Sequence, residues 1–277
     1  AYDSLGGISS TFGDKFISNA LTLQTTNVQS STFGLKIQWA STKLTPRIAD
    51  GLVRSISKLK YNNTSLTFFH QFDNHNDRYF PTKGFRSTLE FSTTTKNNGS
   101  VSFGDTLVIE NPENLIQTSG ISSILADISP IIQLSPKVSL LSRFRLKVST
   151  LENDLLNFNE YDFIGGFIPG LVNSVDYWGV GANEYILPSY FLTKLGLQIE
   201  VKRNVFLQTV CNYIDTEYPI VWVYPDADIG VVGNKNRTFS FGALLGIKSP
   251  LGPLSVAVAK DHNKSSWEGS LILGFYF

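Results

Sequence analysis

Hydrophobic and polar residues alternate one for one along most of this chain. Between Phe33 and Ala40, the residues Phe33, Leu35, Ile37 and Trp39 are opposed to Gly34, Lys36, Gln38 and Ala40. A strand sends successive side chains to opposite faces, so each such run has one apolar and one polar face. The same period holds at Leu21–Gln24, Ser65–Phe72, Phe85–Phe91, Ile124–Leu134, Leu140–Val148, Phe191–Lys202, Phe206–Ile214, Thr238–Lys248, Leu254–Asp261 and Ser265–Phe277. With a weaker run at Val53–Tyr61, ended by a turn at Asn62-Asn63, the pattern predicts twelve strands.

The connections mostly alternate between short and long. Ser135-Pro136-Lys137, Arg203-Asn204 and Ser249–Pro253 are tight, whereas Thr94–Ser123, Glu152–Tyr185 and Asp215–Asn236 are long. An up-and-down transmembrane barrel has this asymmetry, with short turns at one rim and long loops at the other. The expected fold is therefore all-β, an antiparallel up-and-down transmembrane β-barrel of about 12 strands, with about 14 or 16 as alternatives. The barrel would occupy residues 18–277, after a Gly- and Ser-rich lead-in or plug segment at 1–17. An even strand count would put both ends of the barrel at the short-turn rim.

Charge sharpens this picture. The polar faces carry Lys36, Arg86, Arg143, Arg145, Lys147, Lys194, Lys202 and Lys248 against Glu90, Asp127, Glu200 and Asp261, eight positives less four negatives. A lipid-facing Lys or Arg costs about 2–4 kcal/mol at the bilayer midplane, so these faces must line a lumen. Arg86, Glu90, Arg143, Arg145, Lys147, Lys194, Glu200 and Lys202 are the candidate lumen charges. Such a lumen is either wet or filled by something acidic. The competing reading is a soluble β protein with a solvated sheet face.

Charged residues are only 17% and aromatics reach 13%. Lys+Arg and Asp+Glu balance at 23 each, which argues against a nucleic-acid partner. The lone Cys211 excludes an intrachain disulfide and a multi-cysteine metal site. No apolar run approaches the roughly 18 residues of a membrane helix. No signal peptide and no methionine are present, which reads as a mature chain or an excised domain. Neither a GxSxG elbow nor a Gly-rich phosphate loop occurs, so neither enzymatic activity nor a cofactor is expected. His70, Asp73, His75 and Asp77 can be drawn as a metal cluster, but positions along an extended strand diverge and no metal is expected.

Four motifs carry a resemblance. Phe72-Asp73-Asn74-His75-Asn76-Asp77-Arg78-Tyr79-Phe80-Pro81-Thr82-Lys83-Gly84-Phe85 resembles the "D…FPT.G" hairpin of the outer-membrane surface-antigen superfamily, which includes BamA, TamA and the patatin-fused autotransporters. Gly165-Gly166, at the exit from a strand, and Ile247–Leu254, with its Pro-Leu-Gly-Pro turn, are similar to further family features. The ending Leu273-Gly274-Phe275-Tyr276-Phe277 is similar to the family's last strand, and its apolar face of Leu271, Leu273, Phe275 and Phe277 looks like a barrel insertion signal. Order and spacing agree from about Leu66 to the end.

The resemblance implies site residues. Asp73, Phe80, Pro81, Thr82 and Gly84 would form the family hairpin. Gly165, Gly166, Tyr177, Trp178 and Gly179 would belong to an inward-folded loop. The family's loop carries an Arg-Gly pair received by an acidic strand motif; here the matching places read Asp176-Tyr177-Trp178-Gly179-Val180 and Val210-Cys211-Asn212-Tyr213-Ile214. The loop's hold is therefore expected to rest on Tyr177, Trp178 and neutral hydrogen bonds. The implied role is a bacterial outer-membrane anchor or translocator for a fused or partner passenger of the patatin-like autotransporter type, or a stand-alone family barrel. A small diffusion pore preferring anions is the alternative. Outer-membrane lipid and the outer-membrane assembly machinery are the implied partners, with a polypeptide passenger and a homodimer left open.

Overall fold

The computed structural model describes residues 11–27, 30–48, 56–103, 107–110, 117, 120–151, 160–168, 173–182, 184–216, 237–250 and 252–274. In chain order the strands are β1 (Thr11–Asn27), β2 (Ser31–Ile48), β3 (Ile56–Asp73), β4 (Gly84–Phe103), β5 (Leu107–Glu110), β6 (Ile121–Ser135), β7 (Val138–Ser149), β8 (Asp162–Ile164), β9 (Ser174–Val175), β10 (Tyr185–Leu187), β11 (Tyr190–Lys202), β12 (Val205–Asp215), β13 (Arg237–Ser249), β14 (Gly252–Asp261) and β15 (Glu268–Leu273). Twelve of them form one antiparallel up-and-down sheet, β1-β2-β3-β4-β6-β7-β11-β12-β13-β14-β15, with β5 paired to β4 off that path. The short β10-β8-β9 sheet lies in the connection between β7 and β11.

Alternation in sequence becomes the two faces of this wall. Phe33, Phe85, Leu89, Phe239, Phe241 and Val256 are exposed on the outer face. Thr238, Ser240 and Leu244 of β13, and Ser255, Ala257 and Ala259 of β14, are buried on the inner one. Exposed aliphatic and aromatic side chains outside and buried polar ones inside is the inverse of a water-soluble domain and the pattern of a membrane barrel. At one rim the turns are short. At Arg203-Asn204, Asn204 adopts the left-handed φ of 66° that Asn tolerates better than other non-glycine residues.

The strand boundaries differ from the sequence reading in four places. Val53–Tyr61 and Ser65–Phe72 are not two strands: β3 runs unbroken through Asn62 and Asn63, which pair with Asn98 and Asn97 of β4. An Asn-Asn pair without glycine is poorly suited to a two-residue hairpin turn, which needs positive φ at both positions, and the ladders on both sides hold it extended. The Thr94–Ser123 stretch is not all loop, because β4 continues to Phe103 and β5 follows. Residues 11–17, expected within a lead-in or plug segment, belong to β1.

The fourth difference follows from the first. With β5 off the path, the twelve-stranded sheet has eleven strands in alternating succession, so β1 and β15 run the same way. Thr11 then lies at the long-loop rim and Leu273 at the short-turn rim, which corrects the expectation of both ends at one rim. Among the described residues no ladder joins β1 to β15.

Candidate functional site

The inner face of β6, β7 and β11 concentrates charge. Arg143, Arg145 and Lys147 alternate on β7, so all three point inward, and the register sets Asp127 of β6 opposite Arg145 and Lys194 of β11 opposite Arg143. Four cations on two neighbouring strands repel one another unless carboxylates stand between them. Asp127 supplies one, accepting from Arg143 Nε at 2.9 Å and Nη2 at 2.6 Å, and from Arg145 Nη1 at 2.7 Å.

The remaining acid comes from the loop between β7 and β11, which folds inward. Asp176 accepts from Arg143 Nη1 at 2.6 Å and is bonded to Lys194. Asp162 accepts from Lys147 Nζ at 2.6 Å and Arg145 Nη2 at 3.0 Å, and is bonded to Tyr190, whose hydroxyl also accepts from Arg145 Nε at 2.6 Å. Glu160 reaches β3 and β4, accepting from Asn63 Nδ2 and Thr94 Oγ1, each at 2.9 Å. Burial alone would raise the carboxyls of Asp162 and Asp176; Lys147 and Arg145 around the first, and Lys194 and Arg143 around the second, outweigh it and hold both below the ordinary value of 3.8. The contact between loop and wall is thus ionic.

The tip of the loop crosses to the opposite wall. Tyr177 donates its hydroxyl to the Thr238 carbonyl of β13 at 3.2 Å, and burial pushes its phenol up. Trp178 lies with its ring 4.8 Å from Lys194 Nζ and 5.5 Å from the Phe167 ring. Gly179 has φ 99°, and a Cβ there would stand 2.8 Å from the Asp261 amide nitrogen, so the tip sits directly on the β14 backbone. Gly165 and Gly166, at φ 139° and 77°, turn the chain out of β8. Farther along, Lys264 pairs with Glu184 at 2.5 Å.

A second segment enters from the short-turn rim. The turn between β3 and β4 is built by its own Asx side chains: Asp77 Oδ1 accepts from the Tyr79 and Phe80 amides at 2.9 Å, and Asn76 Oδ1 from those of Thr82 and Lys83 at 2.9 and 3.1 Å. Gly84, at φ 125°, lies where a Cβ would stand 2.7 Å from the Asn74 carbonyl oxygen. So shaped, the turn spans the mouth. Gln198 of β11 donates to the Pro81 carbonyl at 3.0 Å, Ser139 of β7 donates to that of Thr82 at 2.8 Å, and Lys248 of β13 pairs with Asp77.

Loop and turn meet in one apolar cluster. Phe80 and Trp178, each 4% exposed, share it with Phe206, Val210, Leu244, Ala257, Ala259 and Ile272, contributed by β12 to β15. Phe80 stacks on Phe206 with ring centroids 4.7 Å apart. Two inward-facing glycines of β13 make room: a Cβ at Gly246 would collide with the Phe80 ring, and one at Gly242 would stand 3.1 Å from Trp178 Cε3. The lumen is packed from both ends.

The fold is similar to that of BamA. The crystal structure of BamA from Haemophilus ducreyi lacking POTRA domains 1-3 matches 94% of this chain, with a TM-score of 0.60 and 18% identity. The chain spans about half of that one, 55% of its length. The transport unit of the autotransporter AIDA-I from Escherichia coli matches 97% of the chain at 12% identity with a TM-score of 0.33, too low to bear on the fold. No protein-family model matches the chain, and no curated protein matches its sequence.

Within this BamA-like wall, the residues singled out from sequence fall in different places. Asp73, Phe80, Pro81, Thr82 and Gly84 are all in the turn that crosses the short-turn mouth. Arg143, Arg145, Lys147 and Lys194 join the ionic cluster, whereas Arg86, exposed, and Glu90, half-buried, stand apart from it on β4. Glu200 accepts from the Asn204 amide at 3.3 Å. Lys202 is not a lumen charge: a bulge between Glu200 and Lys202 sets it opposite Val205, on the outer face. Leu271 and Leu273 are 72% and 75% exposed; Phe275 and Phe277 lie outside the described residues.

His75 stands beside Asp73, 3.5 Å from Nδ1 to Oδ1, but His70 bonds to Ser31 and Asp77 to Lys248, and among the described residues no group of three His, Cys, Asp or Glu could hold a metal. The expectation of a neutral hold on the loop is overturned by Asp162 and Asp176. The signal was present in sequence as six acidic residues, Glu152, Asp154, Glu160, Asp162, Asp176 and Glu184, in the connection following a strand with three alternating cations. Gly242 and Gly246 gave no signal, because a glycine on the polar face of a strand looks like any other small residue.

Proposed function

We propose that this chain is a bacterial outer-membrane β-barrel whose resting state is sealed, and that it anchors or translocates a polypeptide passenger. The observation that carries the reading is a wall with an exposed apolar exterior and a lumen filled by its own loop and turn. The similarity to the BamA fold agrees with it. An open anion-selective pore is disfavoured: each of the lumen cations Arg143, Arg145, Lys147 and Lys194 is paired with an internal carboxylate, Asp127, Asp162 or Asp176.

The test is reconstitution of the chain into planar bilayers, with parallel spin labelling at Phe241 and Gly242 in vesicles. The reading expects lipid contact at 241, none at 242, and no sustained conductance. A stable, anion-selective current would favour the pore; water contact at both labels would remove the membrane reading. Passenger handling is tested by fusing a folded reporter upstream of Ala1 and asking whether it reaches the cell surface or is held at the membrane.

A further inference from the structure

We propose that the short-turn rim binds the phosphate of an anionic phospholipid, at the adjoining β6–β7 and β11–β12 turns. The proposal rests on the reading of the chain as membrane-spanning. The two hairpins are built alike. Against β7, the register of β6 shifts between Gln133 and Ser135, leaving Leu134 bulged; against β12, that of β11 shifts between Glu200 and Lys202, leaving Val201 bulged. A bulge sets two residues against one, so whatever follows changes face. Glu200, opposite Phe206, keeps the inner face, while Lys202, opposite Val205, joins the outer face of Leu207. Without the bulge Lys202 would point into the lumen.

The turns are also neighbours, because β7 pairs with β11 and the Glu200 amide donates to the Lys137 carbonyl at 2.8 Å. Lys137, Lys202 and Arg203 therefore stand together. All three are exposed, and among the described residues none has a carboxylate partner. Lys248 on the same rim differs, being taken by Asp77. Beneath the three cations the outer surface is aliphatic, with Ile132, Leu134, Ile199 and Val201 exposed.

Cations directly above an aliphatic wall match a lipid whose phosphate is at the rim and whose chains run down the barrel. Free phosphate would lack the apolar half of this contact. A zwitterionic lipid has the phosphate but brings its own ammonium, which competes with the lysines. The occupant is therefore a lipid with net negative charge, drawn to juxtamembrane cations.

The experiment places the full chain in phosphatidylcholine nanodiscs, transfers it to detergent, and titrates it with phosphatidylglycerol, phosphatidylcholine or inorganic phosphate. Adducts are counted by native mass spectrometry. The expected result is preferential retention of phosphatidylglycerol and no phosphate adduct. K137Q, K202Q and R203Q should each lower that retention roughly five-fold, with phosphatidylcholine unaffected. Deletion of Val201 keeps every charge but returns Lys202 inward, and should weaken retention as K202Q does. Equal retention of the two lipids, or undiminished phosphatidylglycerol binding by the triple variant, overturns the site. Entry into nanodiscs without lipid preference removes only the site; failure to enter removes the membrane reading as well.

Discussion

Phe80 lies against Gly246. The phenylalanine comes from the turn between β3 and β4 and the glycine from the inner face of β13, and a side chain at Gly246 would occupy the space of the ring. Because β13 is distant from β3 and β4 along the sheet, this contact closes the short-turn mouth from across the barrel.

Gly246→Val should therefore expel the ring. Overpacking costs about 1–3 kcal/mol, and the lost stacking on Phe206 adds to it. Phe80→Ala, which empties the same place, should cost about 3 kcal/mol. Urea unfolding in detergent micelles measures both. If Gly246→Val leaves the midpoint unmoved, the ring does not depend on the notch.

Conductance distinguishes one seal from two. Deleting 173–181 removes Trp178 from the lumen but leaves Phe80 and the Lys248–Asp77 pair across the other mouth. Small, brief openings are expected from that deletion, and a sustained current only when Phe80→Ala is added. A large steady current from the loop deletion alone would show that the turn seals nothing.

The ionic hold on the loop predicts a charge-swap rescue. Asp176→Lys places a third cation beside Arg143 and Lys194 and should release the loop, at a cost of about 3–5 kcal/mol for a broken buried pair. Adding Lys194→Asp should recover part of the loss, read as protease protection of the loop. Additive losses from the two substitutions would mean that the pair is not coupled.

Acid should loosen the loop only late. Asp162 and Asp176 have carboxyls lowered from 3.8 in the folded chain. Groups with depressed values add stability that is complete above the unfolded value and is lost as pH falls through the folded one. Hydrogen-exchange protection of the loop, corrected for the intrinsic pH dependence of amide exchange, should match at pH 7 and 5 and fall only below about pH 4. Release between pH 6 and 5 would contradict the ion pairs.

The exposed Leu271 and Leu273 suggest a role for the last strand in insertion. An edge strand recognised by an assembly machine pairs through its backbone and specifies itself by alternate side chains. Removing Phe277 should lower surface yield in cells far more than it lowers urea stability after refolding. A parallel fall in both would make the residue a packing element alone.

How much of this was legible depends on the physics of each feature. The period-two faces at Phe33–Ala40 or Thr238–Lys248 follow from strand geometry and could be read directly. Asn62-Asn63 misled because ladder partners on both sides override a local turn preference. Lys202 misled because one bulge inverts parity, and nothing in Ile199–Lys202 marks it. The hairpin residues Asp73–Gly84 were found as a motif, yet their destination was hidden: Pro81 and Thr82 meet Gln198 and Ser139, more than fifty positions away. Charge complementarity between Asp176 and Arg143 was hidden likewise, since a sequence does not say which loop returns to which wall.

The direction of that complementarity limits how the chain can change. Arg143, Arg145, Lys147 and Lys194 accept an acidic visitor and would repel a basic one. A loop bearing an arginine, grafted here from a barrel of the opposite polarity, would meet four like charges and stay outside. Loop and wall are thus inherited as a matched set: a drift in sign on either side must be answered on the other, or the barrel is left ajar.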